Sequence, residues 1–232
     1  MEKINVYSYP YHWSLQGFWQ YGYEAPFRYF KKFLEKKDLV LDIGCGDGKL
    51  TALLAPHVKK VVGLDHQQFP LDMAQVLLEG NGITNVEFVQ CDAVALDFKE
   101  NTFDKITCFD MIEHIPQKDA EVLVQNIIRI LKPGGWLCLT TPNRKDLTNR
   151  IFGNQLIEKH YHEYTVEELQ NLFAPFFTHL TFYGSYLPLI PVPKIEHYAN
   201  VLPFRIVFNK MVDLGKNRPR FAKTLILIAQ KK

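Results

Sequence analysis

Three glycines at alternate positions follow a short apolar run in Val40-Leu-Asp-Ile-Gly-Cys-Gly-Asp-Gly48, and the helix-like Lys49-Leu-Thr-Ala-Leu-Leu54 comes directly after them. Glycines at such a turn let the backbone approach a ligand closely, at the carboxyl end of a strand where doubly wound sheets bind nucleotides. The spacing is G-x-G-x-G, with Lys49 standing where a dinucleotide fingerprint would have its third glycine. Asp65, followed by His66, closes the next apolar run and is placed to accept hydrogen bonds from both hydroxyls of a ribose. Gln90-Cys-Asp92-Ala93 supplies a second carboxylate suited to the exocyclic amine of adenine, with Cys91 and Ala93 as small neighbours of the ring. Carboxylates at consecutive strand ends repel a pyrophosphate and suit an adenosine that carries a cationic sulfonium.

The elements that must position these groups follow from hydrophobic patterning. Short apolar runs at 39–43, 60–65, 86–91, 103–109 and 135–141 read as strands, and helix-like stretches at 50–57, 71–79 and 120–131 separate them. This alternation is the signature of an α/β, doubly wound, Rossmann-like parallel sheet with helices on both faces. Pro133-Gly134 reads as the stop of the third helix. Thr165, with Glu168 three residues on, reads as the capping box of a helix reaching Phe173. Residues 178–183 and 222–229 read as two further strands, and the stretch between them, residues 187–220, is far longer than a hairpin needs. It reads as an insertion that builds a wall, a partner surface or part of a pocket.

In order and spacing, Val40 to Gly48, Asp65, Asp92, Phe103-Asp-Lys-Ile-Thr-Cys-Phe-Asp-Met-Ile-Glu-His-Ile115 and Leu131-Lys-Pro-Gly-Gly-Trp-Leu-Cys-Leu-Thr-Thr-Pro-Asn143 resemble the successive motifs of class I S-adenosylmethionine-dependent methyltransferases. The Met-Ile-Glu-His and Thr-Thr-Pro-Asn stretches are similar to those of the ubiquinone-biosynthesis type of O-methyltransferase and its small-molecule relatives. The resemblance covers residues 38–143. It implies a seven-stranded sheet with an antiparallel last strand and S-adenosylmethionine as cofactor, leaving S-adenosylhomocysteine as product. Carried over residue by residue, it puts Asp42, Gly44, Cys45, Gly46 and Gly48 around the methionine and ribose. Asp65 and His66 fall at the ribose, Asp92 and Ala93 at the adenine, and Asp110 and Met111 beside the methionine moiety.

Methyl transfer from a sulfonium is an in-line displacement that spreads positive charge, so alignment and exclusion of water supply much of the acceleration, and a base need only take the acceptor's proton. His114, His160 and His162 are the candidates near the carboxyl edge of the sheet, with His12 in the aromatic arm as a further one. Eleven aromatics crowd residues 7–30, and this arm (1–37) reads as a lid over an apolar or aromatic acceptor, with Tyr11, His12, Trp13, Trp19 and Tyr21 as candidate contacts. The leading expectation is metal-independent methylation of a hydroxyl or amine on a small molecule. An alternative rests on Asp110, Glu113, His114 and His162, which resemble the metal site of the small-RNA 3′-terminal 2′-O-methyltransferases, except that Asp110 stands where that family carries Glu. A second alternative is a non-catalytic cofactor-binding module.

The 232 residues, 47% hydrophobic and 22% charged, are those of an ordinary globular protein and read as one domain, 1–232. No apolar run approaches the ~18 residues of a membrane helix, and residues 1–11 lack the apolar core of a signal peptide, so the expected location is cytoplasmic. Cys45, Cys91, Cys108 and Cys138 form no C-x-x-C pair and read as reduced, packed thiols. The net charge of +2 divides into +7 over residues 205–232 and −5 over the rest. The basic end suits peripheral contact with an anionic membrane or a phosphate group. Nucleic acid is not the expected acceptor, and either a monomer or a homodimer fits the composition.

Overall fold

A computed structural model describes residues 9–153, 160–187 and 204–232. Residues 1–8 of the arm and 188–203 of the insertion lie outside the described residues. Seven strands form one sheet: β1 (Leu39–Ile43), β2 (Lys60–Asp65), β3 (Val86–Gln90), β4 (Phe103–Phe109), β5 (Leu131–Pro142), β6 (Phe177–Ser185) and β7 (Thr224–Lys231). Their order is β3-β2-β1-β4-β5-β7-β6. Strands β1 to β5 pair in parallel, and β7 runs antiparallel to both β5 and β6. The doubly wound sheet with a reversed last strand is thus present as expected.

The central strands are buried on both faces, which is why they read as unbroken apolar runs. Their side chains alternate between two cores: Leu41 and Ile43 join Leu64, Ile106, Leu123 and Phe173 on one side, whereas Val40 and Val61 join Phe30, Leu54 and Val212 on the other. Helices α5 (Gln117–Ile130) and α7 (Val166–Phe173) supply the first core. Helices α1 (Gly17–Tyr23), α2 (Ala25–Phe30), α3 (Lys49–Leu54) and α8 (Phe204–Gly215) supply the second. The remaining helices are α4 (Gln68–Gly80) and α6 (Leu147–Phe152). The capping box is formed as expected: Glu168 N donates to Thr165 Oγ1 at 3.2 Å and Thr165 N to Glu168 Oε2 at 2.8 Å.

Some boundaries differ from the sequence reading. Helix α5 ends at Ile130, before Pro133-Gly134, because β5 already begins at Leu131; the Pro-Gly pair sits inside an irregular stretch of strand. Gly134, at φ +73°, makes that bend, and the pairing with β4 shifts register between Phe103 and Lys105. Strand β7 starts at Thr224 instead of residue 222, since Ala222 N donates back to Arg218 O and closes a turn. Helices α1, α6 and α8 were not anticipated. The four thiols are free, with Cys45, Cys108 and Cys138 buried. No helix among the described residues is long and apolar enough to cross a membrane.

Candidate active site

The glycine turn leaves β1 with Gly44, Gly46 and Gly48 all at positive φ. Space as well as backbone requires two of them. A Cβ on Gly44 would stand 2.6 Å from Met111 Cγ, and one on Gly48 would stand 2.8 Å from the Ala74 Cβ. The buried Asp65 carboxylate ties this turn to the end of β2, accepting from Gly46 N at 3.1 Å and Gln67 N at 3.0 Å, with His66 Nδ1 3.3 Å away. Asp42 is 2% exposed and accepts from the hydroxyls of Thr51 (2.6 Å) and Thr107 (2.7 Å). Burial pushes its pKa up from 3.8 to about 6, against the pull of the two hydroxyls.

Three adjoining cavities open at the carboxyl edge of the sheet, and Asp110 lines all three. One, of about 240 Å³, is lined by Asp65, His66, Cys91, Asp92, Ala93 and Met111, among others. The next, of about 190 Å³, is walled by Asp42, Gly44, Cys45, Gly46 and Asp65 and is bounded by His12, Tyr23 and His114. Gly48 turns inward against α4 and does not line either. The largest, about 360 Å³, is aromatic: Tyr11, Phe18, Trp19, Tyr23 and Tyr186 line it, with Lys223 also on its wall. His12, Tyr23 and Asp110 form its boundary with the acidic cavity.

Asp110 adopts φ +47°, a left-handed conformation that Asp tolerates better than most residues. Its amide donates to the carbonyl and hydroxyl oxygens of Thr140, and its Oδ1 accepts from that hydroxyl at 2.8 Å. Desolvation pushes the Asp110 carboxyl up, while Thr140 and the imidazoles of His12, His114 and His160 pull it back. Behind it, the turn Ile112–His114 holds Glu113, 1% exposed. Burial drives Glu113 well above the ordinary carboxylate value, and the charge of Asp110 adds to the rise. Ligand atoms of Glu113, His114 and His160 all lie within 4.8 Å of one another. His160 Nδ1 lies 2.9 Å from Glu163 Oε1. His162, by contrast, faces a separate groove, with Nε2 3.3 Å from Glu168 Oε1. The histidine that joins Glu113 and His114 is therefore His160.

The arm is fastened to the glycine turn by Asp47. Its Oδ2 accepts from His12 N at 2.8 Å and lies 3.1 Å from His12 Nδ1, while its carbonyl accepts from Trp13 Nε1 at 2.8 Å. Lys49 Nζ sits 4.7 Å from the centre of the Trp13 ring, and the His12 ring stacks on Tyr23 at 4.5 Å. Trp13 thus braces the arm and does not line the aromatic cavity. Tyr21 also points elsewhere, its hydroxyl 2.9 Å from Asp213 Oδ1 on α8. Tyr11, His12 and Trp19 line the cavity. Asp47, Tyr23, Tyr186 and Lys223 were not singled out from the sequence; of these, Asp47 carried a signal as the carboxylate inside the glycine turn and Tyr23 as one of the arm's eleven aromatics.

Residues 40–135 match the family model described as a methyltransferase domain. Curated relatives include the ubiquinone biosynthesis O-methyltransferase of Leptothrix cholodnii, 37% identical over 123 residues, and that of Pseudomonas fluorescens strain Pf-5, 39% identical over 123; each match covers 52% of both proteins. The chain spans about half the length of the curated relatives it matches. Among solved structures, PH0226 from Pyrococcus horikoshii OT3 superposes with a TM-score of 0.70 at 18% identity, covering 100% of both chains. The N-methyltransferase NodS from Bradyrhizobium japonicum WM9, in complex with S-adenosylhomocysteine, gives 0.63 at 16% identity over 96% of this chain and 91% of NodS. At those identities the superpositions establish the fold. Over residues 40–135 this chain matches a methyltransferase domain, and its fold is one that methyltransferases share. Among methyltransferases it resembles the ubiquinone-biosynthesis O-methyltransferases.

Proposed function

We propose that this protein transfers the methyl group of S-adenosylmethionine to a hydroxyl or amine of a small, largely apolar or aromatic acceptor. The observation that carries this reading is the shared wall: His12, Tyr23 and Asp110 bound both the acidic cavity and the aromatic one. A donor in the first and an acceptor in the second meet at that wall. The cofactor supplies an electrophilic methyl carbon when bound. Asp65 and Asp92 suit its ribose and adenine, Asp42 and Asp110 supply negative charge near the sulfonium, and the aromatic walls exclude water.

The base we assign is His12. Asp47 stands at its Nδ1, 3.1 Å away, and an Nδ1–H held by a carboxylate leaves Nε2 as the acceptor of a proton. His114 lines the donor cavities without reaching the aromatic one, and His160 lies behind it. Calorimetric titration with S-adenosylhomocysteine, followed by transfer of labelled methyl to a panel of phenols, catechols and aryl amines, tests the reading. No binding of the product by folded protein would sink it, and product binding without methyl transfer to any acceptor would favour the non-catalytic cofactor-binding module. In His12→Gln, kcat should fall by about 100-fold or more with cofactor binding intact. The charge of +7 over residues 205–232 supports peripheral contact with an anionic membrane.

One observation favours a second reading, in which a divalent cation grips vicinal hydroxyls such as those of an RNA 3′ end. Glu113 Oε2 is buried without a hydrogen-bond partner, beside two imidazoles. That donor set fits a metal: Glu113, His114 and His160 would hold the ion, which would act as a Lewis acid toward an acceptor oxygen. Manganese titrated into metal-stripped protein loaded with S-adenosylhomocysteine should bind one-to-one and be lost in Glu113→Gln. Absence of binding in the wild type removes this reading.

A further inference from the structure

We infer that the acceptor's reacting atom is the nitrogen of an amine that enters as an ammonium, held where Asp110 and His12 form the boundary between the acidic and the aromatic cavities. This rests on the methyl-transfer reading above and narrows its choice of hydroxyl or amine. Of the three residues on that boundary, His12, Tyr23 and Asp110, only Asp110 lies inside the segment 40–135 that matches a methyltransferase domain. His12 and Tyr23 belong to the arm, so the domain match leaves the acceptor atom open.

The boundary carries negative charge. Asp110 lines both cavities, Asp42 lines the acidic one, and Asp47 stands 3.1 Å from His12 Nδ1. The His12 ring stacks on Tyr23, with centres 4.5 Å apart and planes 15° from parallel. Tyr23 is thus a phenol built into the boundary, and it registers the field there. Burial, then the charges of Asp47, Asp110 and Asp42, hold its hydroxyl well above the ordinary value of 10. An acceptor phenol beside it meets the same burial and the same carboxylates, and resists ionisation for the same reasons. Lys223, the one Lys or Arg among the described residues lining either cavity, lies on the aromatic side, where its ammonium packs 5.6 Å from the centre of the Tyr186 ring and acts through its charge on Asp146.

The two kinds of acceptor differ in the charge they bring. A phenol gives up its proton and attacks as an oxygen anion in front of these carboxylates; its charge then cancels that of the sulfonium and leaves them without a cation. An ammonium instead gives one proton to His12 Nε2. The freed lone pair on nitrogen attacks the methyl carbon, and the carbon–sulfur bond breaks with its electron pair left on sulfur. The positive charge passes from sulfur to nitrogen, and the products are S-adenosylhomocysteine and a methylated ammonium. A cation therefore faces Asp42 and Asp110 before, during and after transfer, and the rings of Tyr11, Trp19 and Tyr23 offer it their negative faces.

The probes are tyramine, which carries both a phenol and an alkyl ammonium, and tyrosol, in which a hydroxyl replaces that ammonium. Each is titrated calorimetrically into protein saturated with S-adenosylhomocysteine, for wild type and Asp110→Asn. Asn tolerates the left-handed backbone at position 110, φ +47°, and product binding reports folding. Tyramine should bind wild type about 10- to 100-fold more tightly than tyrosol, and Asp110→Asn should cut that preference about 10-fold. With S-adenosylmethionine, mass spectrometry should find the new methyl group on the tyramine nitrogen, and tyrosol should stay unmethylated. If Asp110→Asn fails to hold the product, the wild-type preference and the methylated atom decide alone. Methyl on an oxygen of either probe, none on the nitrogen of bound tyramine, equal or tighter binding of tyrosol, a preference that survives Asp110→Asn, or no binding of either probe would each overturn the assignment while leaving methyl transfer standing. Failure of wild type to bind S-adenosylhomocysteine would instead sink both.

Discussion

Replacing Asp42 by Asn separates the cost of burying a charge from the benefit that charge brings to a cationic ligand. Asp42 is 2% exposed, and its carboxyl titrates at about 6 instead of 3.8, chiefly because burial disfavours the ionised form. The folded state thus holds this proton more tightly than the unfolded chain does. The associated stability is fully present below about pH 4 and is lost as the pH rises through 6. A shift of about two units corresponds to roughly 3 kcal/mol that the ionised group costs the fold at neutral pH. Asn removes that cost but accepts less well from Thr51 and Thr107, a loss of about 1 kcal/mol. Asp42→Asn should therefore be more stable than wild type by about 1–2 kcal/mol at pH 7.5, and the advantage should vanish near pH 4. The bound sulfonium rewards the carboxylate, so S-adenosylmethionine should stabilise the variant less than it stabilises wild type. Urea unfolding at both pH values, with and without S-adenosylmethionine, measures each quantity. An Asn variant destabilised equally at both pH values would refute the reasoning, because Asp42 would then act only as a hydrogen-bond acceptor.

Asp47→Ala removes the carboxylate that meets His12 at its amide and at Nδ1, so amide exchange in residues 11–15 should accelerate about 10-fold while the core keeps its protection; unchanged exchange would mean that the arm is held by its aromatic contacts alone. Gly48→Ala combines left-handed backbone at φ +72° with a Cβ 2.8 Å from Ala74, and should cost about 2–4 kcal/mol in chemical unfolding. Lys105→Met leaves the buried Asp38, now 3.0 Å from the ammonium, without its ion partner. Stability should fall by about 3–5 kcal/mol. Affinity for S-adenosylhomocysteine should hold, because Lys105 lies toward the amino end of β4, at the opposite edge from the site; a parallel loss of affinity would contradict that separation.

The residues that line the two acidic cavities were legible because they sit at or beside strand ends, and strand ends are what hydrophobic runs mark. Leu39–Ile43, Lys60–Asp65 and Phe103–Phe109 have the limits their patterning indicated. Asp42, Asp65, Asp92 and Asp110 fall where each run stops. The histidines were harder. His160 and His162, two apart, would share a face in a strand. The chain instead bends at Tyr161, whose amide donates to Glu113 O at 2.8 Å, and this sends His160 toward His114 and His162 toward Glu168. Long-range backbone bonds from Tyr161 N and His162 N to Glu113 O set which imidazole joins the cluster, and no local pattern encodes them.

The acceptor half was illegible for a related reason. Aromatic density announced a wall in the arm but not its partners, since Tyr186 and Lys223 come from the segments flanking a long insertion and reach the arm only through the β6–β7 pairing. The contact that unites the halves, Asp47 with His12, spans 35 positions. Its consequence is physical coupling: the glycine turn that walls the acidic cavity is the same turn that anchors the arm beside the aromatic one. His12 and Tyr23, whose stacked rings form the boundary between the cavities, are thereby tied through Asp47 to that turn. Under the proposed function, this arrangement sets the methyl donor against an aromatic wall instead of open water.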